Sequence, residues 1–267
     1  MMLPYQSKPN ETLDYLFAKV PTLNNDTHRD IANRTMNYYK GSKKERTLTS
    51  LFQDLENKWY SSLEDGNPAY FYYSYPEMVI ETWCCFHLYS KNYITLLSKF
   101  MDDKSKADIK TIVDLGCGVG FTTSYLKHVF PNAKVYGTNV RGTQWDVASD
   151  LGKEQGFTIV ESINDVSNID LVFASEYFEH FERPIEHLKS IIDKEPKMLL
   201  IANSFGSKSF GHFNVYKNEN QAIENKKVGR LFNSLLRERY KPLETGFWNN
   251  RPSLWVEKWK QLSLSLF

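Results

Sequence analysis

Nowhere does the sequence contain an apolar run approaching the roughly 20 residues that cross a bilayer, and its opening, MMLPYQSKPN, lacks the ordered basic, apolar and small residues of a secretory leader. No membrane partner is expected, and the reading is a cytoplasmic protein. Cysteine is scarce. The three present, Cys84, Cys85 and Cys117, make neither a disulfide framework nor a spaced zinc site, so no metal is expected. Charge of one sign is also lacking, since 33 basic and 32 acidic residues leave a net charge of +1. That balance argues against tight nonspecific binding of nucleic acid, which needs clustered cations. The longest basic clusters, Lys40 to Arg46 and Lys226 to Arg230, read as solvated surface. There is no internal repeat and no low-complexity tract.

At 267 residues the chain is long enough for one large domain or one domain with an appended segment. Residues 112 to 130, IVDLGCGVGFTTSYLKHVF, place a glycine-rich turn between an apolar strand and an amphipathic helix. Gly116, Gly118 and Gly120 let the backbone turn sharply and approach a ligand, and the helix start aims its free N–H groups at whatever binds there. Asp114 adds a carboxylate at the carboxyl end of the strand. A nicotinamide-binding turn normally reads G-x-G-x-x-G. This one, Gly116-Cys117-Gly118-Val119-Gly120, departs from it.

From Ile109 onward, short apolar runs alternate with helical stretches, the pattern of an α/β domain. Strands are expected at Lys134 to Thr138, Phe157 to Val160, Ile169 to Ser175 and Met198 to Asn203, with helices at Thr143 to Lys153 and Pro184 to Lys194. Asn220 to Tyr240 reads as a helix, followed by strands at Leu243 to Trp248 and Ser253 to Trp259. The first hundred residues are polar, aromatic and mostly helical in pattern. Their densest part, AYFYYSYPEMVIETWCCFHLY at residues 69 to 89, reads as a cap over the α/β domain, a dimer interface or plain core, and Cys84 and Cys85 within it as core. The expected division is a helical, aromatic-rich cap or substrate-binding segment over 1–108 and a Rossmann-like domain over 109–267.

VDLGCGVG, residues 113 to 120, resembles the first motif of the class I S-adenosylmethionine-dependent methyltransferases, and IDLVFASEYFEHFERPIEHL, residues 169 to 188, resembles their fourth strand and following helix. The resemblance implies a mostly parallel seven-stranded sheet flanked by helices and S-adenosylmethionine as cofactor. It implies that Asp114, Gly116, Cys117, Gly118 and Gly120 surround the methionine part. It places Asn139, where the family usually has an acid, at the ribose, and Ser162 and Ile163 at the adenine. Ser175 falls at the carboxyl end of the fourth strand, where open sheets bind ligands. An amide offers one acceptor where a carboxylate accepts from both ribose hydroxyls, so weaker cofactor binding is expected from Asn139. The (D/N/S)PP(Y/F/W) motif of the amino-methylating nucleic-acid enzymes is absent after the fourth strand. Asn67-Pro68-Ala69-Tyr70 imitates it but reads as a turn.

Methyl transfer is an in-line displacement, so a general base is needed only where the acceptor must lose a proton. Glu176, His180 and His212 are the candidates, and Tyr177 and Tyr216 are expected to line the acceptor site. A small-molecule acceptor is the first reading. A nucleic-acid methyltransferase and a noncatalytic cofactor-binding module stay open, as does a homodimer.

Overall fold

The computed structural model describes residues 3–66, 73, 75–207, 211–243 and 252–258. The amino-terminal part is helical: α1 (Pro9–Lys19), α2 (Asp26–Tyr39), α3 (Ser50–Glu64), α4 (Met78–Cys85), α5 (Lys91–Phe100) and the short α6 (Asp103–Asp108). Between α4 and α5 the helix continues through one wide π turn, Phe86–Ser90. There follow β1 (Thr111–Leu115), α7 (Phe121–Val129), β2 (Lys134–Thr138), α8 (Thr143–Gln155), β3 (Thr158–Val160), β4 (Leu171–Ser175), α9 (Pro184–Ile192) and β5 (Met198–Ala202). The chain closes with a hairpin of β6 (Tyr216–Asn218) and β7 (Gln221–Ile223), then α10 (Asn225–Arg239), β8 (Tyr240–Leu243) and β9 (Ser253–Glu257).

Seven strands form one sheet in the order β3-β2-β1-β4-β5-β9-β8. The first five are parallel, and β9 runs antiparallel to both β5 and β8. This is the expected mostly parallel sheet flanked by helices, with a helical region before it. The chain leaves β1 toward β2 on one side and returns to β4 on the other. A crevice is therefore forced open above the carboxyl ends of β1 and β4, the switch point where such sheets bind ligands.

Strand burial explains why these short runs become central strands. Ile112, Leu171, Phe173, Met198 and Leu200 point to one apolar layer, and Val113, Val172, Ala174, Leu199 and Ile201 to the other, alternating as a pleated strand requires. The first layer is shared with the amino-terminal helices through Leu16, Phe17, Phe52, Trp59, Ile80 and Trp83. The second packs α9 and α10 through Leu188, Ile191, Phe232 and Leu236.

The far end of the sheet is fastened by Asp170. Its Oδ2 accepts hydrogen bonds from the backbone N–H groups of Lys110 at 2.6 Å and Thr111 at 2.9 Å, and its other oxygen pairs with Lys197. One carboxylate thus joins the lead-in segments of β1, β4 and β5.

Two expectations are corrected. The segment from Asn220 is not helical until Asn225, because Asn218 and Gln221 pair in the β6–β7 hairpin and Glu219 turns the chain with a φ of +54°. Polar residues with no alternation hide that hairpin from a pattern reading. The strand expected at Leu243 to Trp248 runs Tyr240–Leu243 instead, since α10 passes directly into it at Tyr240; residues 244–248 lie outside the described residues. The Asn67 to Tyr70 segment lies outside them as well. Among the described residues no helix is long and apolar enough to cross a membrane, and no group of three or more His, Cys, Asp or Glu is placed to hold a metal ion.

Asp170→Ala leaves two backbone donors without their charged acceptor and is expected to cost about 2–3 kcal/mol of stability. Equilibrium denaturant unfolding measures it, and a loss below about 0.5 kcal/mol would show that the sheet end holds without this carboxylate.

Candidate active site

The turn after β1 is shaped by close approaches. Gly118 sits at a φ of +55°, a left-handed conformation that side chains resist, and a Cβ built there would meet the Thr82 methyl at 1.9 Å. Gly116 is similarly closed in, with the Tyr177 ring 2.6 Å from an added Cβ. The turn is held from below, as Cys117 N–H donates to the Thr138 carbonyl at 2.9 Å. Gly120 has another task than the expected cofactor contact. It packs on Ala148 of α8 and on Phe157, starts α7, and does not line the site.

Above the turn lies a cavity of about 360 Å³. The structure brings together on its walls Asp114, Gly116, Cys117, Gly118, Asn139, Ser162, Ile163 and Ser175, all expected cofactor contacts, with Glu176, Tyr177 and His180 beside them. Asn139 is spent on the protein itself. Its Nδ2 donates to the Gly118 carbonyl at 2.8 Å and its Oδ1 accepts from Val140 N–H at 2.9 Å, so the amide clamps the glycine turn to the end of β2. Ser162 is committed too, its Oγ accepting from Asn164 N–H at 3.1 Å.

The other walls come from residues that the sequence reading did not single out: Tyr73, Met78, Glu81, Thr82, Cys85, Phe86 and Ser90. All but Tyr73 lie on the α4–π–α5 helix. Met78, Thr82, Phe86 and Ser90 recur every four residues, a spacing that drifts around an α-helix by about 40° per step. The wide turn, with more residues per rotation, offsets that drift, and Ser90 Oγ comes within 3.0 Å of Ser175 Oγ at the end of β4. Cys85 is thus a cavity residue, whereas Cys84 is the core residue expected. A single signal was present in the sequence: Glu81 is a carboxylate set between apolar and aromatic residues, Met78 to Ile80 before it and Trp83 to Phe86 after Thr82.

Burial sets the charges. Asp114, whose Oδ2 accepts from Thr123 Oγ1 at 2.7 Å, is pushed up to about 7 by desolvation, and Glu81 to about 8 for the same reason. Glu179 is fully buried and raised further by the neighbouring Glu176; its Oε1 accepts from Ser204 N–H at 2.7 Å. His180 is lowered to about 3 by burial and by the nearby His212, so its ring is neutral. Its Nδ1 lies 2.8 Å from the Tyr73 hydroxyl and 3.0 Å from the Gly211 carbonyl.

Two candidates fall elsewhere. His212 lines a neighbouring cavity, with Nδ1 3.1 Å from Ser207 Oγ. Tyr216 is completely buried in the second apolar layer and donates its hydroxyl to the Glu179 carbonyl at 3.2 Å, so it is a core residue and not part of the acceptor wall. Tyr177 does line the cavity, with its hydroxyl 2.9 Å from His187 Nε2.

Residues 113–193 match the family model described as "Methyltransferase domain". The match runs from the glycine turn through α9, the same stretch whose motifs carry the resemblance read from the sequence. No curated protein matches the chain. Among solved structures, StiE O-MT is 19% identical with a TM-score of 0.40, over 56% of this chain and 50% of that one. The chain thus spans about half the length of that protein. The plantazolicin methyltransferase BpumL, in complex with a triazolic desmethylPZN analog and SAH, is 15% identical with a TM-score of 0.45, over 74% of this chain and 83% of that one. A putative O-methyltransferase from Nostoc punctiforme is 13% identical with a TM-score of 0.48, over 78% of this chain and 69% of that one.

Asn139→Asp removes the donor that holds Gly118 and sets a carboxylate against its carbonyl. The thermal midpoint of the ligand-free protein is expected to fall, by the equivalent of about 1–2 kcal/mol; an unchanged midpoint would mean that the clamp is immaterial. A pH scan tests the buried carboxyls. Glu81 and Asp114 hold their protons in the folded state above their ordinary values of 4.5 and 3.8, so the stability they confer below those values is lost as pH rises through about 8 and about 7. His87, His180 and His187, lowered to about 4, 3 and 4, act in the opposite direction and only as pH falls below their ordinary 6.5. The midpoint is expected to drop between about pH 7 and about pH 8, and Glu81→Gln to reduce that drop. A flat profile in the wild type would contradict the assignment.

Proposed function

We propose that this chain transfers the methyl group of S-adenosylmethionine to a small-molecule acceptor, with residues 109–267 as the transferring domain and residues 1–108 as a cap that completes the site. The observation that carries the reading is the cavity at the β1–β4 switch point, in which the glycine turn is met by α4 from the amino-terminal helices.

The residues present fit that cofactor. The cradle at Gly116 and Gly118 is space that a Cβ would fill, so the backbone itself can approach a ligand. Burial disfavours the charged forms of Asp114 and Glu81, and a cation nearby offsets that cost. Ile163 offers an apolar face at the far end of the cavity, beside Ser162. When bound, S-adenosylmethionine supplies an electrophilic methyl on a cationic sulfur. The chain's share is to orient the acceptor and exclude water, and orientation alone contributes roughly 7–11 kcal/mol in favourable cases. A positioned base adds roughly 10²–10⁴-fold. Neutral His180, held by Tyr73 and Gly211, orients the wall rather than taking a proton, which leaves Glu176 as the wall carboxylate placed to accept one.

A small acceptor is favoured over nucleic acid by the charges around α10. Arg239 is engaged with Glu195 and Glu257, and Lys227 with Glu224, so this helix does not present its full basic complement to a phosphate backbone.

Calorimetry with S-adenosylhomocysteine tests the cofactor site. Wild type is expected to bind one equivalent, and Gly118→Ala to bind about tenfold more weakly or worse, through backbone strain and the collision with Thr82. Thr82→Ala in the same chain removes the colliding methyl and is expected to restore part of the affinity. Wild-type binding by Gly118→Ala would rule out the turn as the cofactor cradle.

A further inference from the structure

Beside the proposed cofactor cavity lies a second one, of about 720 Å³, and the two share four wall residues: Glu81, Cys85, Glu176 and His180. The second cavity is bounded on the sheet side by the segments after β4 and β5, including His212, and on the other side by α2, the loop after it, and the π turn and α5. Four tyrosines line it, Tyr38 and Tyr39 from α2, Tyr89 from the π turn and Tyr93 from α5. Its charges are segregated. The loop after α2 contributes Lys43 and Arg46, both exposed and, among the described residues, in no ion pair; Glu45 between them is taken by Arg34. The shared wall contributes carboxyls instead, Glu81 and Glu176, with Glu179 behind Glu176.

Resting on the methyltransferase reading, we infer that the second cavity is the acceptor site and that it takes a flat aromatic small molecule bearing an anionic group, held with that group at Lys43 and Arg46 and its O–H or N–H at the shared wall. The tyrosine faces suit a planar body, which offers large contact at little cost in conformational freedom. The exposed cations fix the direction of entry, because an anionic group is drawn to Lys43 and Arg46 on the loop and finds no positive partner among the carboxyls of the shared wall. The protic group thereby reaches the one wall that also faces the cofactor. In the transfer, the acceptor oxygen or nitrogen forms a bond to the methyl carbon as the carbon–sulfur bond breaks, with its electron pair staying on sulfur. The proton passes to the Glu176 carboxylate of the shared wall and from there to water. The proposed cofactor cavity and the acceptor cavity thus meet at Glu81, Cys85, Glu176 and His180.

Anilinonaphthalene sulfonate, a fluorescent aromatic anion, serves as the probe, titrated into protein saturated with S-adenosylhomocysteine. One site per chain is expected. The doubly charge-reversed variant Lys43→Glu, Arg46→Glu is expected to weaken it about tenfold or more with S-adenosylhomocysteine affinity and thermal midpoint unchanged. Absence of binding, competition with S-adenosylhomocysteine, or indifference to the charge reversal would each overturn the acceptor assignment while leaving the cofactor site standing. Failure of the wild type to bind S-adenosylhomocysteine would instead overturn the methyltransferase reading and the acceptor assignment with it. Parallel assays of methyl transfer to hydroxylated and to aminated aromatic carboxylic acids separate oxygen from nitrogen as the accepting atom.

Discussion

The approach of Thr82 to Gly118 is the constraint on which the rest of the site depends. A helix from the amino-terminal part of the chain rests directly on the turn after β1, in a space that exists because Gly118 has no side chain. Thr82 is also fixed, its Oγ1 within 3.0 Å of both the Met78 carbonyl and Gln144 Oε1 of α8. Helical region, glycine turn and sheet are in this way one mechanical unit at the point where the ligand cavity opens. Asn139 works on the same turn from the other side, and Tyr177 closes over Gly116. Three contacts therefore set a backbone shape that its own glycines leave free.

The site is electrostatically unusual in that its ionisable groups are held near neutrality rather than in ion pairs. Asp114, Glu81 and Glu179 are raised by burial, and His180 is lowered by it. Such a cavity has carboxyls whose ionisation becomes favourable when positive charge arrives. A cationic ligand draws those carboxyls into their charged form, and binding carries a proton release that an already ionised pocket would lack.

Much of this was legible in the sequence, and what was not has a common cause. The strands of the sheet follow from short buried runs, and β2 falls within the stated limits, Lys134–Thr138. The cavity wall on the sheet side was legible because its residues stand at the ends of consecutive strands, where connectivity alone brings them together. Position in the chain said nothing of α4. Its stretch read equally as a cap, a dimer interface or plain core, and which face of an apolar helix meets a glycine more than thirty residues later is settled by packing, not by local pattern. Asn139 was correctly placed at the end of β2, yet its amide answers to Gly118 rather than waiting for a ligand. Tyr216 was misjudged for the converse reason, since a tyrosine near a site looks the same in sequence whether it faces the cavity or the core beneath it.

The wide turn at Phe86–Ser90 has a consequence for how this helix is able to vary. An unbroken α-helix of the same residues would have better hydrogen-bond geometry and lose nothing in local propensity. It would also swing α5 by about 100° relative to α4, taking Ser90 away from Ser175 and presenting another side chain to the end of β4. Regularity and register are therefore in conflict along this stretch, and the chain keeps the register. The helix carries its irregularity as a fixed offset between two faces, one matched to the glycine turn and the other to β4.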